Sequence, residues 1–332
     1  MKKVIIYGMG RKGVECAKGI LRNADTLQVE VVAFMDKRIV DLGQEYPVYQ
    51  PDRLCQIAYD HIVVTSAVWY QNIREELHDR YGIDYSKIIL WRELLSSEGI
   101  EPAFYCNCCN HYVPYMTGAG YESPVFKKVR ISGGGVRDYA KCPYCGSVDR
   151  NRFIEYILEA KTDIYQNPQA SILHFAPEEM IEAKLRKEHA DYITADIRPI
   201  ADVVEDITSI SFTDQRFDYI ICNHIMQDVP EDTKAFFELK RCIKKSGRII
   251  FSVPICWEQK TYEMAEHDTL EERFMFYGQK EHVRLYGNDL EERLKNYGFY
   301  VTVFRAEEEL SNEQILRMSL IPDDTVWILE RV

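Results

Sequence analysis

Short β-branched runs alternate with helix-like stretches in both halves of the chain. VIIYG (4–8) opens the series, and a helical pattern follows it through Ile20 and Leu21. VEVVAFMD (29–36), HIVVTSA (61–67) and KIILW (87–91) are further runs of the same kind, with helix-like stretches between them. Strands alternating with helices predict a parallel, doubly wound sheet over residues 1 to about 95. The alternation resumes at Ser171. SILHFA (171–176), DYITAD (191–196), FDYIICN (217–223) and RIIFSVP (248–254) read as strands, and DVVED (202–206) as a shorter one. Helices fit 179–189 and 231–245, and another runs from near Asp289 to Tyr297. YVTVFRA (300–306) and TVWILERV (325–332) close the chain without a long helix between them, which predicts an antiparallel pair at one sheet edge.

Residues 102–150 follow neither period. They hold half of the cysteines and the triplet Gly133 to Gly135. A small core of this kind needs a staple. The expected fold class is therefore α/β, with two Rossmann-like doubly wound sheets joined by a small cysteine-rich segment. The expected domains are 1–97, 98–155 and 156–332.

Length and charge narrow the function. A chain of 332 residues accommodates two domains at about 150 residues each. With 46% hydrophobic residues it can bury real cores, so it is not disordered by composition. Its 53 acidic residues outnumber 41 basic ones, a net charge of −12, which argues against nucleic acid and anionic membranes as default partners. No apolar run approaches the ~18–20 residues needed to span a bilayer. MKKVIIYGMG mimics a signal peptide for seven residues, but Gly8 and Gly10 break the apolar stretch and no cleavage-type site follows. The expectation is a buried first strand and a cytoplasmic enzyme.

Five of the ten cysteines (Cys106, Cys108, Cys109, Cys142 and Cys145) lie within 40 positions. Cys106-x-x-Cys109 and Cys142-x-x-Cys145 are two knuckles with 32 residues between them. Two tight turns that each present two thiolates supply what tetrahedral zinc takes, and a site closed by four thiolates is structural rather than catalytic. The competing reading is reduced buried thiols or a redox pair. Cys108 and His111 are spare donors, and the spacing of Cys108 is awkward for the site. Cys16, Cys55, Cys222, Cys242 and Cys256 read as ordinary buried thiols.

Gly8-x-Gly10-x-x-Gly13 follows a strand and opens a helix, where glycines permit close backbone approach and a helix N-terminus favours an anion. Asp36 ends the second strand, about where a ribose-binding acid sits. Arg11 and Lys12 offer charge for a phosphate. The expected ligand is a nucleotide or nucleotide-sugar on Gly8, Gly10, Arg11, Gly13 and Asp36, against a turn that merely packs helix on strand. The segment resembles the N-terminal Rossmann-like domain of bacterial sugar-modifying acyltransferases, which binds a nucleotide-linked sugar. KKVIIYGMGRKG, VVAFMD and the turn at Ser66-Ala67 carry the likeness. Arg11-Lys12 stand where that family usually has Gly-His, so its chemistry does not transfer.

The stretch from about 142 to 300 resembles a bacterial, glycan-associated group of class I S-adenosylmethionine-dependent methyltransferases. The residues that carry the resemblance are CPYCGSVDRNRF (142–153), ILHFAPE (172–178), YITADI (192–197), FDYIICNHIMQDVPED (217–232) and EHVRLYG (281–287). They stand in the group's order over about half of the chain. In an open parallel sheet, ligands bind beyond the C-terminal strand ends. The resemblance then implies a cofactor held by His174, Phe175, Ala176, Glu178, Asp196, Asp206, Ile207 and Asn223. Asp196 would accept from the ribose hydroxyls and Ile207 would flank the adenine. The first loop, HFAPE, lacks the superfamily's glycines, a departure that the resembling group shares. The interval from Asp196 to Asp206 is too short for a full crossover helix. For both carboxylates the competing reading is loop capping.

Methyl transfer to a hydroxyl needs alignment and a base, and a base near neutral pH favours histidine. His224 lies at a strand end, four residues before Asp228, which could orient it. His282, Arg284 and Tyr286 alternate, so on an extended segment they share one face that could meet an anionic acceptor such as a sugar phosphate. His224, His282 and Arg284 are the catalytic candidates, each weighed against a purely structural role. His174 reads as a cofactor-loop residue and His267 as solvated. YEMAEHDTLEERFMF (262–276) reads as an inserted helix, on the surface rather than as a lid.

The leading expectation is a methyltransferase using S-adenosyl-L-methionine and structural Zn2+, acting on a small-molecule or nucleotide-sugar/glycan substrate. O-methylation of a sugar rests on analogy alone. A homo-oligomer is left open. The alternatives are an NAD-dependent oxidoreductase working through the first glycine loop, and a non-catalytic binding protein with a degenerate methyltransferase fold.

Overall fold

The computed structural model describes residues 1–38, 48–66, 69–95, 103–264 and 269–332, with only the backbone at 11 and 12. The chain forms two compact units. One comprises Met1–Tyr105, His111–Thr117 and Cys142–Gly146; the other comprises Cys106–Asn110, Gly118–Lys141 and Ser147–Val332. The cysteine-rich segment is thus divided between them, and the expected boundary at 97/98 lies outside the described residues. Among the described residues no helix is long and apolar enough to cross a membrane.

The first unit holds a five-stranded parallel sheet. Its strands are β1 (Lys2–Tyr7), β2 (Val29–Met35), β3 (Val48–Tyr49), β4 (His61–Val64) and β5 (Ile88–Leu90), in the order β3-β2-β1-β4-β5. Helix α1 (Arg11–Arg22) connects β1 to β2, and α2 (Tyr70–Tyr81) connects β4 to β5. Both faces are covered, and strand alternation sorts the core accordingly. Val4, Ile6, Val29 and Val63 join Ala17 and Ile20 of α1 in one cluster. Ile5, Tyr7, Met35, Ile62 and Val64 join Leu77 of α2 in the other. Gly82 ends α2 in the left-handed conformation (φ 68°), where a Cβ would be strained. After β5 comes the single turn α3 (Trp91–Leu94).

The cysteine-rich segment carries two short paired sets: β6 (Phe104–Cys106) with β7 (His111–Val113), and β8 (Thr117–Ala119) with β9 (Arg137–Lys141). Helix α4 (Asp149–Lys161) follows, beginning before residue 156, where the second sheet's domain was expected to start.

The second unit is built on seven strands. They are β10 (Ile172–Phe175), β11 (Tyr192–Asp196), β12 (Val203–Val204), β13 (Phe217–Asn223), β14 (Ile243–Ser252), β17 (Phe299–Arg305) and β18 (Thr325–Arg331). A small pair, β15 (Ile255–Cys256) and β16 (Tyr286–Gly287), lies between β14 and β17 in sequence. The order is β12-β11-β10-β13-β14-β18-β17, parallel except that β18 runs antiparallel to both neighbours. The closing pair is antiparallel as expected, with β17 at the edge. Helices α5 (Glu179–Glu188), α6 (Asp232–Cys242), α7 (Leu270–Tyr277) and α8 (Leu290–Asn296) complete the part that frames the site. The core includes Leu173, Phe175, Phe217, Phe236, Phe251 and Trp327, all 3% exposed or less. Helix α6 stops at Cys242 and not at 245, because Ile243 is already extended and pairs with Phe217.

Candidate active site at the strand ends

Strand register builds the site. Phe175 pairs with both Ala195 and Cys222, and Cys222 pairs with Phe251. One residue further, Asn223 pairs with Ser252, and the Ala176 N–H still donates to the Ala195 carbonyl at 2.8 Å. Ala176, Asp196, Asn223 and Ser252 therefore form one row across the C-terminal ends of four neighbouring parallel strands. The chain leaves two of these strands in the left-handed region, at Ala176 (φ 43°) and His224 (φ 53°). Such conformations cost a non-glycine residue roughly 1–2 kcal/mol, and they gather at functional sites.

The loop after β10 replaces glycines with a hydrogen-bonded relay. His174 is fully buried; its Nδ1 lies 2.8 Å from the Tyr192 hydroxyl and its Nε2 2.8 Å from Glu178 Oε2. His174 thus fixes Glu178 at the start of α5, while Phe175 is a core residue. Asp196 is 6% exposed and accepts the Arg198 N–H at 2.8 Å and its Nε–H at 3.1 Å. Burial pushes this carboxyl up, but the Arg198 hydrogen bonds and charge outweigh it and hold the carboxyl below its ordinary value. Asp206 is exposed and accepts from the Thr208 N–H (2.8 Å) and hydroxyl (2.7 Å), so it closes an Asx turn; Ile207 beside it is buried.

Asn223 is 4% exposed. Its Oδ1 accepts from the Ser252 hydroxyl at 3.0 Å, and its Nδ2 has no partner among the described residues. Gln227, also 4% exposed, donates to the His224 carbonyl at 2.7 Å and leaves Oε1 without a partner among the described residues. A buried donor and a buried acceptor near one strand end suit a polar ligand, since unsatisfied buried groups are costly.

Beyond β13 the pairing differs from the expected one. Asp228 does not orient His224. It faces His282, with Oδ1 3.7 Å from Nε2. The chain at Met226–Asp228 is a single 3-10 turn, so four-residue spacing does not stack the two side chains. The His224 ring hydrogen-bonds to no described residue. Its pKa lies well below the ordinary value, first because of burial and then because of its electrostatic neighbours Arg150, His282 and Arg137. Burial also lowers that of His282, whose Nδ1 lies 3.1 Å from the Tyr277 carbonyl.

Arg284 and Tyr286 do not join His282 in an acceptor-facing row. The fully buried Arg284 donates to the carbonyls of Met226 (2.7 Å), Val229 and Pro230 (2.8 Å) and to the Glu263 carboxylate (2.8 Å). Its donors are occupied by the 226–230 loop, so Arg284 shapes the site instead of meeting an acceptor. The Tyr286 hydroxyl donates to Asp232 at 2.8 Å. Only Tyr286–Gly287 of this stretch is strand, which is why the expected alternation fails. Helix α7 realises the inserted helix, with Tyr277 buried; His267 and residues 265–268 lie outside the described residues.

In the first unit the glycine loop is tightly built. Gly8 has φ 97°, and a Cβ on Gly13 would sit 1.8 Å from the Gly8 carbonyl oxygen, so position 13 admits only glycine. Gly10 caps α1 without a side-chain bond. Asp36 accepts the Met9 N–H at 2.8 Å and the Arg38 N–H at 2.9 Å, so it is bonded to the loop itself. The Arg11 and Lys12 side chains and Ala67 lie outside the described residues.

The Sγ atoms of Cys106, Cys109, Cys142 and Cys145 all lie within 4.8 Å of one another. Each knuckle is closed by a left-handed residue after its second cysteine, Asn110 (φ 56°) and Gly146 (φ 81°). The cluster is compatible with zinc, whose ~2.3 Å bonds to sulfur require thiolates nearly in contact. Cys108 is not part of it. Of the remaining cysteines Cys222, Cys242 and Cys256 are buried, but Cys16 is only half-buried and Cys55 is exposed, contrary to expectation.

Residues 168–251 match a family model described as a methyltransferase domain, and residues 1–89 match one described as C2185-like, N-terminal. No curated protein matches the chain. Similar solved structures include a SAM-dependent methyltransferase from Archaeoglobus fulgidus, 14% identical over 55% of this chain and 94% of that one, TM-score 0.36. Another is a 1,6-didemethyltoxoflavin-N1-methyltransferase from Burkholderia thailandensis, 12% identical over 55% of this chain and 78% of that one, TM-score 0.36. A third is the [4+2]-cyclase SpnF, 13% identical over 55% of this chain and 80% of that one, TM-score 0.39. By its sheet order and the match at 168–251, the second unit is a class I methyltransferase-like domain.

Proposed function

We propose that the protein is an S-adenosylmethionine-dependent methyltransferase that methylates a hydroxyl of a small, sugar-like acceptor. The observation that carries this reading is the row Ala176, Asp196, Asn223 and Ser252 at four parallel strand ends. The residues fit the cofactor. Asp196 is a buried, ionised carboxylate that can accept from ribose hydroxyls, Ala176 keeps the left-handed backbone usual for glycine, and Asn223 holds an unused buried donor. Ile207, in one core cluster with Phe175 and Ala195, supplies an apolar side chain. When bound, the cofactor supplies an electrophilic methyl on a sulfonium. The chain's own part is to align the acceptor, exclude water and take its proton, with His224 and the His282–Asp228 pair as the available bases. The sugar as acceptor rests on the resemblance to the glycan-associated group. Calorimetric titration with S-adenosylhomocysteine tests the reading. Binding to the wild type that weakens at least tenfold in Asp196→Ala supports it, and no binding to the wild type overturns it.

Two further assignments accompany it. Cys106, Cys109, Cys142 and Cys145 would hold one structural zinc, supported by the convergence of their sulfurs. Gly8, Gly10, Arg11 and Gly13 would receive the phosphate of a nucleotide or nucleotide-sugar at the uncapped start of α1, with Asp36 shaping the loop.

A further inference from the structure

The two edges of the seven-stranded sheet are built differently. At one edge β12 is only Val203–Val204, flanked by Asp202 and Glu205. So short and charge-flanked an edge offers another strand little to pair with. At the other edge β17 runs for 7 residues, Phe299–Arg305, with no bulge, no proline and no charge before Arg305. None of the usual protections of an edge strand is present there. No described residue pairs with its open side. Tyr300, 62% exposed, and Thr302 stand uncovered on it.

The ladder with β18 decides which backbone groups the open side presents. Just beyond its two ends, the Val332 N–H donates to the Gly298 carbonyl and the Ala306 N–H to the Asp324 carbonyl. Hydrogen-bonded and non-hydrogen-bonded pairs alternate along an antiparallel ladder, so the even-numbered residues of β17 are the ones bonded to β18. Phe299, Val301, Val303 and Arg305 therefore turn their N–H and C=O groups outward. The side chains of Phe299, Val301 and Val303 join the core on one face. Those of Tyr300, Thr302 and Phe304 lie on the other face.

This arrangement is self-complementary. An antiparallel copy of the strand matches outward residues with outward residues when the two-fold axis passes through a residue. Only Thr302, the midpoint, then pairs the whole of 299–305. Val301 would exchange both backbone bonds with Val303 of the second copy, and Phe299 with Arg305. Tyr300 would stand directly opposite Phe304, an aromatic pair of the kind that stabilises strand pairing. The ends match in charge as well. Lys240 and Lys295 lie at the Phe299 end, with the Lys240 ammonium 3.4 Å from the Tyr297 carbonyl. The exposed Glu307 and Glu308 follow Arg305, whose own charge is taken up by Glu308 at 2.9 Å. Antiparallel pairing sets the basic end of each copy against the acidic end of the other.

We propose that the open edge of β17 is a homodimer interface, in which two copies of the chain join their seven-stranded sheets about a two-fold axis at Thr302. A strand of another protein could meet the same backbone groups, but not this register of side chains and end charges. The inference is independent of the methyltransferase reading.

Sedimentation equilibrium of the full chain at micromolar concentration is the test, and the wild type is expected to be a dimer. Thr302→Lys and Thr302→Glu each set like charges directly opposite one another across the axis, and each should weaken the dimer at least tenfold. Thr302 is exposed and its side chain bonds to no described residue, so both variants should keep the wild-type circular dichroism spectrum. An equimolar mixture of the two should recover a dimer with one of each, because Lys then faces Glu. Val204→Lys, at the opposite edge, should leave the dimer intact. Hydrogen exchange reads the same interface without a substitution: the outward amides of Val301 and Val303 should exchange at least tenfold more slowly in concentrated than in dilute wild-type protein. A monomeric wild type, a dimer indifferent to Thr302→Lys, a mixture that does not associate, or amide protection independent of concentration overturns the inference.

Discussion

His282 holds its Nε2 3.7 Å from an Asp228 carboxylate oxygen while its Nδ1 faces the Tyr277 carbonyl at 3.1 Å. A carbonyl only accepts, so Nδ1 carries the proton and the neutral ring turns the Nε2 lone pair toward Asp228. Burial, followed by the Glu281 charge, pushes the Asp228 carboxyl up to about 7, and burial pushes His282 down. Asp228 is thereby raised into the range where it exchanges a proton with solvent near neutral pH, facing a histidine whose own proton affinity is lowered.

That pair predicts a kinetic signature. The single-turnover rate of methyl transfer should rise with pH through a break near 7, where Asp228 loses its proton and the pair becomes the better acceptor of one. Asp228→Asn should shift the break by about one unit or remove it, and should lower the rate above pH 8 by about 10-fold or more, within the range typical of a general base. Rate profiles from pH 5.5 to 9 check this. Identical profiles for variant and wild type would exclude the pair from the proton transfer.

Arg284 predicts a stability effect. Truncation to Ala leaves three loop carbonyls and the Glu263 carboxylate without their donor, and opens a void. Removing one partner from a buried charged network costs about 3–5 kcal/mol. Urea unfolding of Arg284→Ala should show a loss of that order. Arg284→Lys should recover only part of it, because an ammonium cannot span the same carbonyls. A loss below about 1 kcal/mol in the Ala variant would mean that the loop is held by other contacts.

These two sites also mark where sequence was legible. The strands could be read because each residue in runs such as Ile5-Ile6 packs on a different face of a fully covered sheet. Ala176, Asp196 and Asn223 could be placed because strand ends follow from strand runs. Val48–Tyr49 escaped because two residues carry no period. Arg284 was misplaced because alternation describes an extended segment and says nothing of carbonyls brought from residues 226–230. The Asp228 partner was mistaken because four-residue spacing pairs side chains on a helix and not on a 3-10 turn that leads into Pro230.

The cysteine cluster predicts a metal dependence that separates its members. Purified protein should carry about one zinc per chain. Cys106→Ser and Cys142→Ser should each lose it and lower the melting temperature, whereas Cys108→Ser should retain it. Metal analysis by mass spectrometry checks the stoichiometry. Equal metal loss in Cys108→Ser would show that the ligand set is not the four converging sulfurs.

Asp324 predicts how stability should respond to pH. Its carboxyl is buried, with Oδ2 unpartnered among the described residues, and burial and then Asp149 hold it up to about 8, against about 3.9 in an unfolded chain. A group whose folded value is raised gives its full contribution below the unfolded value and loses it as pH climbs to the folded one. Its share of stability should therefore decline from about pH 4 to about pH 8 and stay level above that, because over this window the unfolded chain releases a proton that the folded one keeps. Other carboxylates, Asp196 among them, have lowered values and the opposite slope, so the readable quantity is a difference between two proteins. Asp324→Asn keeps the shape and has no proton to lose. Its melting temperature relative to wild type should accordingly climb between pH 4.5 and pH 8.5, which calorimetry at several pH values measures directly. A difference that stays constant over that range would mean that Asp324 ionises in the folded protein as readily as in the unfolded one.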